Sequence, residues 1–302
     1  MLSDLNVTIK KGHEMKLAFL GLGVMGFPMA GHLANFGHDV IVYNRTPSKA
    51  SKWKDNYIGN TAETPKAASV YAEIVIACVG NDEDLREITV AENGAFHSMA
   101  AGSIFIDHTT VSASITKELC NYAKDKGIFY IDAPISGGQA GAENAALSIM
   151  CGGDEITFNN ALPVMEVYSK ICKLMGPTGS GQLTKMVNQI CIAGLVQGLS
   201  EGLNFAKKAG LDVKKVVESI SQGAAGSWQM NNRHETMIEN KYDFGFAVDW
   251  MRKDLKICLD EANQNGASLP VTSIVDQFYK EIQNHGGGRL DTSSLLKRLE
   301  EY

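Results

Sequence analysis

From residue 16 to about residue 175, short apolar runs alternate with stretches of helical periodicity. The runs predict strands at 16–20, 39–43, 73–78, 103–107, 129–132, 147–151 and 170–175, the rhythm of a doubly wound α/β sheet. After Gly176-Pro177-Thr178-Gly179 the rhythm changes. Residues 182–209 contain no proline, carry Met186, Ile190, Ala193, Val196, Leu199, Leu203 and Ala206 at helical spacing, and end at Gly210. At 1.5 Å per residue such a helix is roughly 40 Å long, a length that suits a spine between two domains. Helical patterns follow near 213–221, 228–239, 249–263, 271–284 and 292–300, with a flexible turn at 284–289 before the last. The expected organisation is a loose tail at 1–14, a sheet domain at 15–178 and an all-α domain at 179–302. A ligand cleft is expected between the two domains, at the carboxyl ends of the strands.

The first apolar run breaks into K-L-A-F-L-G-L-G-V-M-G, from Lys16 to Gly26. Gly21 supplies a tight turn off the strand, Gly23 lets the backbone approach a pyrophosphate, and Gly26 lets the following helix pack on the strand. With Leu22, Val24 and Met25 between them, these residues predict a dinucleotide cradle of Rossmann type, with phosphate on the helix N-terminal amides. The second strand ends in V-Y-N-R-T, where Asn44, Arg45 and Thr46 stand in place of the carboxylate that binds a ribose 2′-hydroxyl in NAD proteins. Arg45 can pair bidentately with a 2′-phosphate and Thr46 can add a hydroxyl, so the pattern favours NADP, with NAD possible. The plainer reading of Arg45 is a solvated turn residue.

Composition narrows the class. A chain of 302 residues that is 44% hydrophobic and 21% charged has ordinary globular composition and room for two domains. A net charge of −6 and no Lys/Arg block argue against a nucleic-acid or membrane-surface binder, so the expected partner is a small molecule. The six cysteines lie scattered in apolar runs without C-x-x-C or metal spacing, and read as buried reduced thiols with no metal. No apolar stretch reaches the length of a membrane span, and residues 1–14 resemble neither a signal nor a transit peptide, which gives a cytoplasmic expectation. Met15 is a candidate functional start, since Lys16 opens the first strand.

Three further segments carry candidate chemistry. In D-A-P-I-S-G-G (132–138) the amides of Ser136, Gly137 and Gly138 can form a nest for a carboxylate, with the Ser136 hydroxyl as a further donor, or the run is a glycine turn without a ligand. Lys185 lies in the first turns of the spine helix with Asn188 and Gln189 on its face, placed to touch a substrate oxygen or simply solvated. Thr109, Thr110 and Ser112 follow the strand ending at Asp107, as candidate donors at a strand end or, for Ser112, as a helix cap. Lys253 and Asp254 fall inside an apolar-rich helix, where a surface ion pair is the plain reading. Trp228, Met230, Asn231, Asn232 and Phe246 are candidates for a substrate pocket or for core.

Taken in order, these segments resemble the β-hydroxyacid dehydrogenase family, which includes 3-hydroxyisobutyrate dehydrogenase, tartronate semialdehyde reductase and the glyoxylate/succinic semialdehyde reductases. The resemblance runs from Lys16 to Glu300 through G-L-G-V-M-G, D-H-T-T (107–110), D-A-P-I-S-G-G, G-x-x-x-K (181–185) and R-K-D-L (252–255). It implies Lys185 as the catalytic lysine; Ser136, Gly137, Gly138, Asn188 and Gln189 as substrate contacts; and Val79, Thr110 and Lys253 on the cofactor side. It implies hydride transfer between nicotinamide and the carbonyl carbon of a small carboxylate substrate, Lys185 handling the proton, with oxidation favoured at alkaline pH and reduction nearer neutrality. Separately, the many Ala and Gly of the long spine helix favour packing as a homodimer or homotetramer, with burial inside one chain as the alternative. Two positions depart from the family pattern. Gln189 stands where the family often has Asn, and Val79-Gly80, followed by Asp82, Glu83 and Asp84, replaces Leu-Pro. An oxidative decarboxylase like 6-phosphogluconate dehydrogenase is the competing enzyme reading, though the second domain is short for it and no basic sugar-phosphate cluster is evident. An NAD-linked oxidation of L-serine or 3-hydroxyisobutyrate also fits the resemblance, whereas a non-catalytic NADP-binding module predicts a lost Lys185 or a damaged glycine loop, and both are intact.

Overall fold

The computed structural model describes residues 14–301; of the expected tail only Glu14 is among them, and the rest lies outside the described residues. The chain divides into two compact units, the first ending at Lys185 and the second beginning at Met186.

The first unit follows the order β1 (Lys16–Leu20), α1 (Gly26–Phe36), β2 (Asp39–Tyr43), α2 (Pro47–Asn56), β3 (Asn60–Thr61), α3 (Pro65–Ser69), β4 (Ile74–Ala77) and α4 (Asp82–Val90). It continues with β5 (Ile104–Asp107), α5 (Ala113–Asp125), β6 (Phe129–Asp132), β7 (Ile135–Ser136), α6 (Gly138–Glu143), β8 (Leu147–Gly152), α7 (Glu155–Met165) and β9 (Ser169–Gly176). The nine strands make one sheet in the order β3-β2-β1-β4-β5-β6-β8-β7, with β9 on β8. From β3 to β6 every pairing is parallel, the Rossmann order, whereas β8 runs antiparallel to β6 and β7. Sequence order reverses direction between β1 and β4, so the carboxyl ends of these two strands form the topological switch point at which open α/β sheets bind ligands.

The central strands β1, β4 and β5 read as near-continuous apolar runs because both sheet faces are covered there. Leu17 and Phe19 of β1, Ile74 and Ile76 of β4, and Ile104 and Ile106 of β5 enter one core with Met29 and Leu33 of α1. Ala18, Leu20, Val75, Ala77 and Phe105 enter the core on the other face with Leu85 of α4 and Leu119 of α5. Ser112 caps α5, its hydroxyl accepting from the Ile115 amide at 3.1 Å. β3 and β7, of two residues each, fall outside the predicted strands, being too short to show a period.

The long helix α8 (Ser180–Lys208) has 29 residues and carries the division between the units. In the second unit its Ala193 and Val196 pack with α11 (Val248–Asn265) and α12 (Pro270–Asn284), while Leu199, Leu203 and Ala206 pack with α9 (Val213–Ile220) and α10 (Trp228–Ile238). A short α13 (Leu295–Glu301) gives Leu295 to the first of these clusters and Leu296 to the second. Ile190, one of the predicted apolar-face positions, is only half-buried. No helix among the described residues is long and apolar enough to cross a membrane.

Burial of the cysteines is less uniform than expected. Cys151 and Cys258 are buried, Cys78, Cys120 and Cys172 are half-buried, and Cys191 on α8 is exposed. An apolar neighbourhood in sequence does not fix which side of a helix a residue takes, and residue 191 lies opposite the packed side that holds Ala193 and Val196.

Just beyond β5 lies a fully buried titratable pair. His108 Nδ1 donates to the Ala133 carbonyl at 2.6 Å, and its Nε2 accepts from the Tyr168 hydroxyl at 2.9 Å, an arrangement for the neutral ring. Burial pushes its pKa down to about 4, so below pH 6.5 the unfolded chain takes up a proton that the native ring refuses, and stability falls toward pH 4. Asp107, pushed by burial up to about 7, works in the opposite direction, protonating in the native state first as pH falls. His108→Gln is expected to be less stable at neutrality but to lose up to about 3 kcal/mol less than wild type between pH 6.5 and 4, measured by urea unfolding at each pH; equal slopes would show that His108 titrates normally.

Candidate functional site

The glycine loop meets its geometric requirements in different ways. Gly21 adopts φ +104°, and a Cβ there would stand 2.3 Å from the Cys78 carbonyl oxygen. A Cβ on Gly26 would stand 2.0 Å from the Gly21 carbonyl oxygen and 2.9 Å from the Phe19 ring, so α1 sits on β1 only because that residue has none. At Gly23 a Cβ would meet no protein atom within 4 Å, so packing does not require glycine there and the backbone is open to close approach. The loop is held to the end of β2: the Gly21 amide donates to the Tyr43 carbonyl at 2.9 Å and the Leu22 amide to Asn44 Oδ1 at 2.8 Å. A glycine turn running into the first turn of α1 at the switch point fits a dinucleotide pyrophosphate.

Beyond Asn44, the Arg45 side chain is 70% exposed and its guanidinium bonds Asp84 at 2.6 Å, with Glu87 at 3.9 Å. Its pKa is raised, chiefly by that hydrogen bond. Thr46 caps α2 without a side-chain bond. The acidic run after β4 thus has separate tasks. Asp84 holds Arg45, and Asp82 accepts from the Ser112 amide and hydroxyl, fixing the start of α4 to the cap of α5. Val79 donates its amide to Thr109 Oγ1 at 3.1 Å, joining the loops after β4 and β5.

The strand ends also anchor the helix that carries Lys185. Asp132 closes β6 and is fully buried; its Oδ1 accepts from the Gly179 amide at 2.7 Å and its Oδ2 from the Gln182 amide at 3.0 Å. Burial raises its pKa, and these amides pull it back. Gln182, also fully buried, donates to the Thr109 carbonyl at 2.7 Å and accepts from the Val111 amide at 3.2 Å. Lys185, one turn further, is 7% exposed. A lysine so deeply buried is uncommon outside ion pairs and functional sites. The sequence names neither Asp132 nor Gln182 as a site residue; Asp132 shows only as the predicted strand end that opens D-A-P-I-S-G-G.

The Ser136–Gly138 run is divided between two elements. Ser136 ends β7, paired with Ser148, while Gly137 and Gly138 take φ +136° and +62° and open the six-residue α6. In the second unit Gln189 is buried and turns its amide to the Asp254 carboxylate at 2.7 Å, while Asn188 donates to Gln189 Oε1 at 2.7 Å. Lys253 lies 2.9 Å from the other Asp254 oxygen. This pair is not the surface one expected, because Asp254 is only 2% exposed. Of the pocket candidates, Met230 is buried in one helical core and Phe246 packs against the other, whereas Trp228 is exposed with Arg233 over its ring at 5.0 Å. Among the described residues no group of three or more His, Cys, Asp or Glu side chains is placed to hold a metal ion.

Comparison with known proteins agrees with this geometry. Residues 16–176 match the family model of the NAD binding domain of 6-phosphogluconate dehydrogenase, and residues 179–299 match that for NAD-binding of NADP-dependent 3-hydroxyisobutyrate dehydrogenase. An uncharacterized oxidoreductase of Shewanella frigidimarina is 60% identical, covering 95% of this chain and 98% of its own. The 2-hydroxy-3-oxopropionate reductase of Escherichia coli is 34% identical over 95% of this chain and 97% of its own. The solved structure of Mycobacterium tuberculosis 3-hydroxyisobutyrate dehydrogenase with L-serine superposes with a TM-score of 0.85 at 28% identity, over 95% of this chain and 99% of that one. The chain belongs to the β-hydroxyacid dehydrogenase family and is a 3-hydroxyisobutyrate dehydrogenase-type, nicotinamide-dependent oxidoreductase acting on the CH–OH group of a hydroxyacid.

Proposed function

We propose that this chain interconverts a small β-hydroxyacid and its semialdehyde, of the 3-hydroxyisobutyrate, tartronate, succinic semialdehyde or glyoxylate class, with NADP and with Lys185 as the proton-transferring residue. The observation that carries the reading is the burial of Lys185 on a helix whose start is bonded to the ends of β5 and β6. Residues 15–178 hold the cofactor in this reading: the Gly21–Gly26 loop, Asn44, Val79 and Thr110 line its site, and Arg45 and Thr46 meet its 2′-phosphate. Residues 179–302 supply Asn188, Lys253 and the contacts of a homodimer or homotetramer.

A bound nicotinamide supplies or accepts the hydride. The Lys185 ammonium donates a hydrogen bond to the substrate carbonyl oxygen, stabilises the charge that develops there, and delivers its proton. In the reverse direction the neutral amine accepts the alcohol proton. Ser136, Gly137 and Gly138 bind the substrate carboxylate, and the amide of Gln189, engaged by Asp254, steadies Asn188. An NAD-linked reaction is favoured by one observation, the Asp84 carboxylate already bonded to Arg45.

Consumption of NADPH and NADH with glyoxylate, succinic semialdehyde, tartronate semialdehyde and methylmalonate semialdehyde tests this reading. NADPH turnover with at least one of them is expected, falling at least about a hundredfold in Lys185→Ala; retained turnover in the variant would remove Lys185 from the chemistry. Arg45→Ala should raise KM for NADPH about tenfold or more while leaving NADH unaffected, since a charge-assisted hydrogen bond is worth about 1.5–3 kcal/mol. An equal change for both cofactors would point to NAD. Because the reverse direction needs the neutral amine, alcohol oxidation should speed up as the pH is raised, and a flat pH–rate profile would exclude Lys185 as the base.

A further inference from the structure

The bonds around Asp132 and Gln182 do more than start a helix. Gln182 spends both atoms of its side-chain amide on one short segment, bonding the carbonyl before Thr110 and the amide after it. The same segment is tied to Val79 through Thr109 Oγ1 and to Asp107 through the Thr109 amide. Asp132 holds the backbone of α8 at Gly179 and at Gln182 itself.

The packing around this carboxylate leaves no room for adjustment. A Cβ at Gly152 would stand 2.5 Å from Asp132 Oδ1, and one at Gly181 would stand 2.7 Å from Asp132 Oδ2 and 2.4 Å from the Met150 carbonyl oxygen. Two glycines, on β8 and on α8, thus enclose one side chain. Lys185 lies three residues after Gln182, about 4.5 Å further along the helix.

We propose that Gln182 and Asp132 are positioning residues for the reaction: together they fix the helix bearing Lys185 to the segment bearing Thr110, and so set the place of the proton donor relative to the nicotinamide. This rests on the assignment of Lys185 and Thr110 above. Neither residue touches the reacting atoms. Asp132 sets where α8 begins and hence the rotation of its first turns, and Gln182 sets the spacing between that helix and the loop after β5. Misplacement by about 1 Å can cost a hundredfold in rate, so the effect belongs to the chemical step rather than to binding.

The test measures kcat, KM, the NADPH dissociation constant and the primary isotope effect with NADPH deuterated at the transferred C4 hydrogen, in wild type, Lys185→Ala, Gln182→Leu, Gln182→Glu and Asp132→Asn. For Gln182→Leu and Asp132→Asn, kcat should fall about tenfold to a hundredfold, with the NADPH dissociation constant within about twofold of wild type and a larger isotope effect on kcat, as hydride transfer becomes limiting. Gln182→Glu should regain activity, relative to wild type, as the pH is lowered, because the neutral carboxyl again offers one donor and one acceptor; if Gln182→Leu fails to fold, this variant decides. Unchanged kcat and isotope effect in folded variants would overturn the proposal, as would a loss confined to NADPH affinity. If Lys185→Ala retains activity, the assignment beneath the proposal fails instead, and the Gln182 results do not bear on that outcome.

Discussion

The parallel sheet has to bury both of its faces, and the placement of polar chemistry in the first unit follows from that. Leu17 and Phe19 face one core while Ala18 and Leu20 face the other, so no position along β1 after Lys16 is left for a charged or hydrogen-bonding side chain. The same holds along all of β4 and along β5 until Asp107. Hydrogen bonding therefore collects where the strands stop, through the amides of Gly21 and Val79 and the carboxylates of Asp107 and Asp132. The parallel order brings four of these ends to one edge, and the reversal between β1 and β4 parts the crossover helices there. The polar edge is thus a by-product of central strands that are apolar along their length.

At that edge the buried charges are held by backbone. Asp132 receives two amides and Asp107 receives the Thr109 amide and the Tyr130 hydroxyl, so each carboxylate replaces lost water with fixed dipoles. Burial raises the pKa of both, and these bonds oppose the rise. Placing a carboxylate where α8 begins also sets negative charge at the positive end of the helix dipole. The arrangement that satisfies Asp132 is therefore the one that orients the first turns of α8.

How much of this is legible in the sequence depends on how local each cause is. The glycine loop can be read because its three requirements fall within six residues, and the major strands because their apolar runs are continuous. The two-residue strands β3 and β7 carry no period and escape such a reading. Partners distant in sequence leave no pattern: Gln182 reaches back 73 residues to Thr109, Gln189 forward 65 to Asp254, and Arg45 forward 39 to Asp84. The acidic run after β4 is visible as composition, but its division between Ser112 and Arg45 is a property of the folded sheet edge. Cysteine burial departs from expectation for a related reason, since an apolar segment says little about which way Cys191 faces on a helix.

The ion pair between Arg45 and Asp84 changes what it means for the guanidinium to receive an anion. A lone exposed arginine would capture a phosphate outright, gaining its full attraction and losing it as salt screened the pair. Here Asp84 and, more distantly, Glu87 already surround the guanidinium. Asp84 is a tethered competitor, present at an effective concentration that no solute matches. Asp84 engages Nη1 alone, so an anion bound at the other nitrogens would share the guanidinium with it. Any anion drawn to this corner thus meets a cation already partly neutralised and carboxylates that repel it, so salt screens attraction and repulsion together.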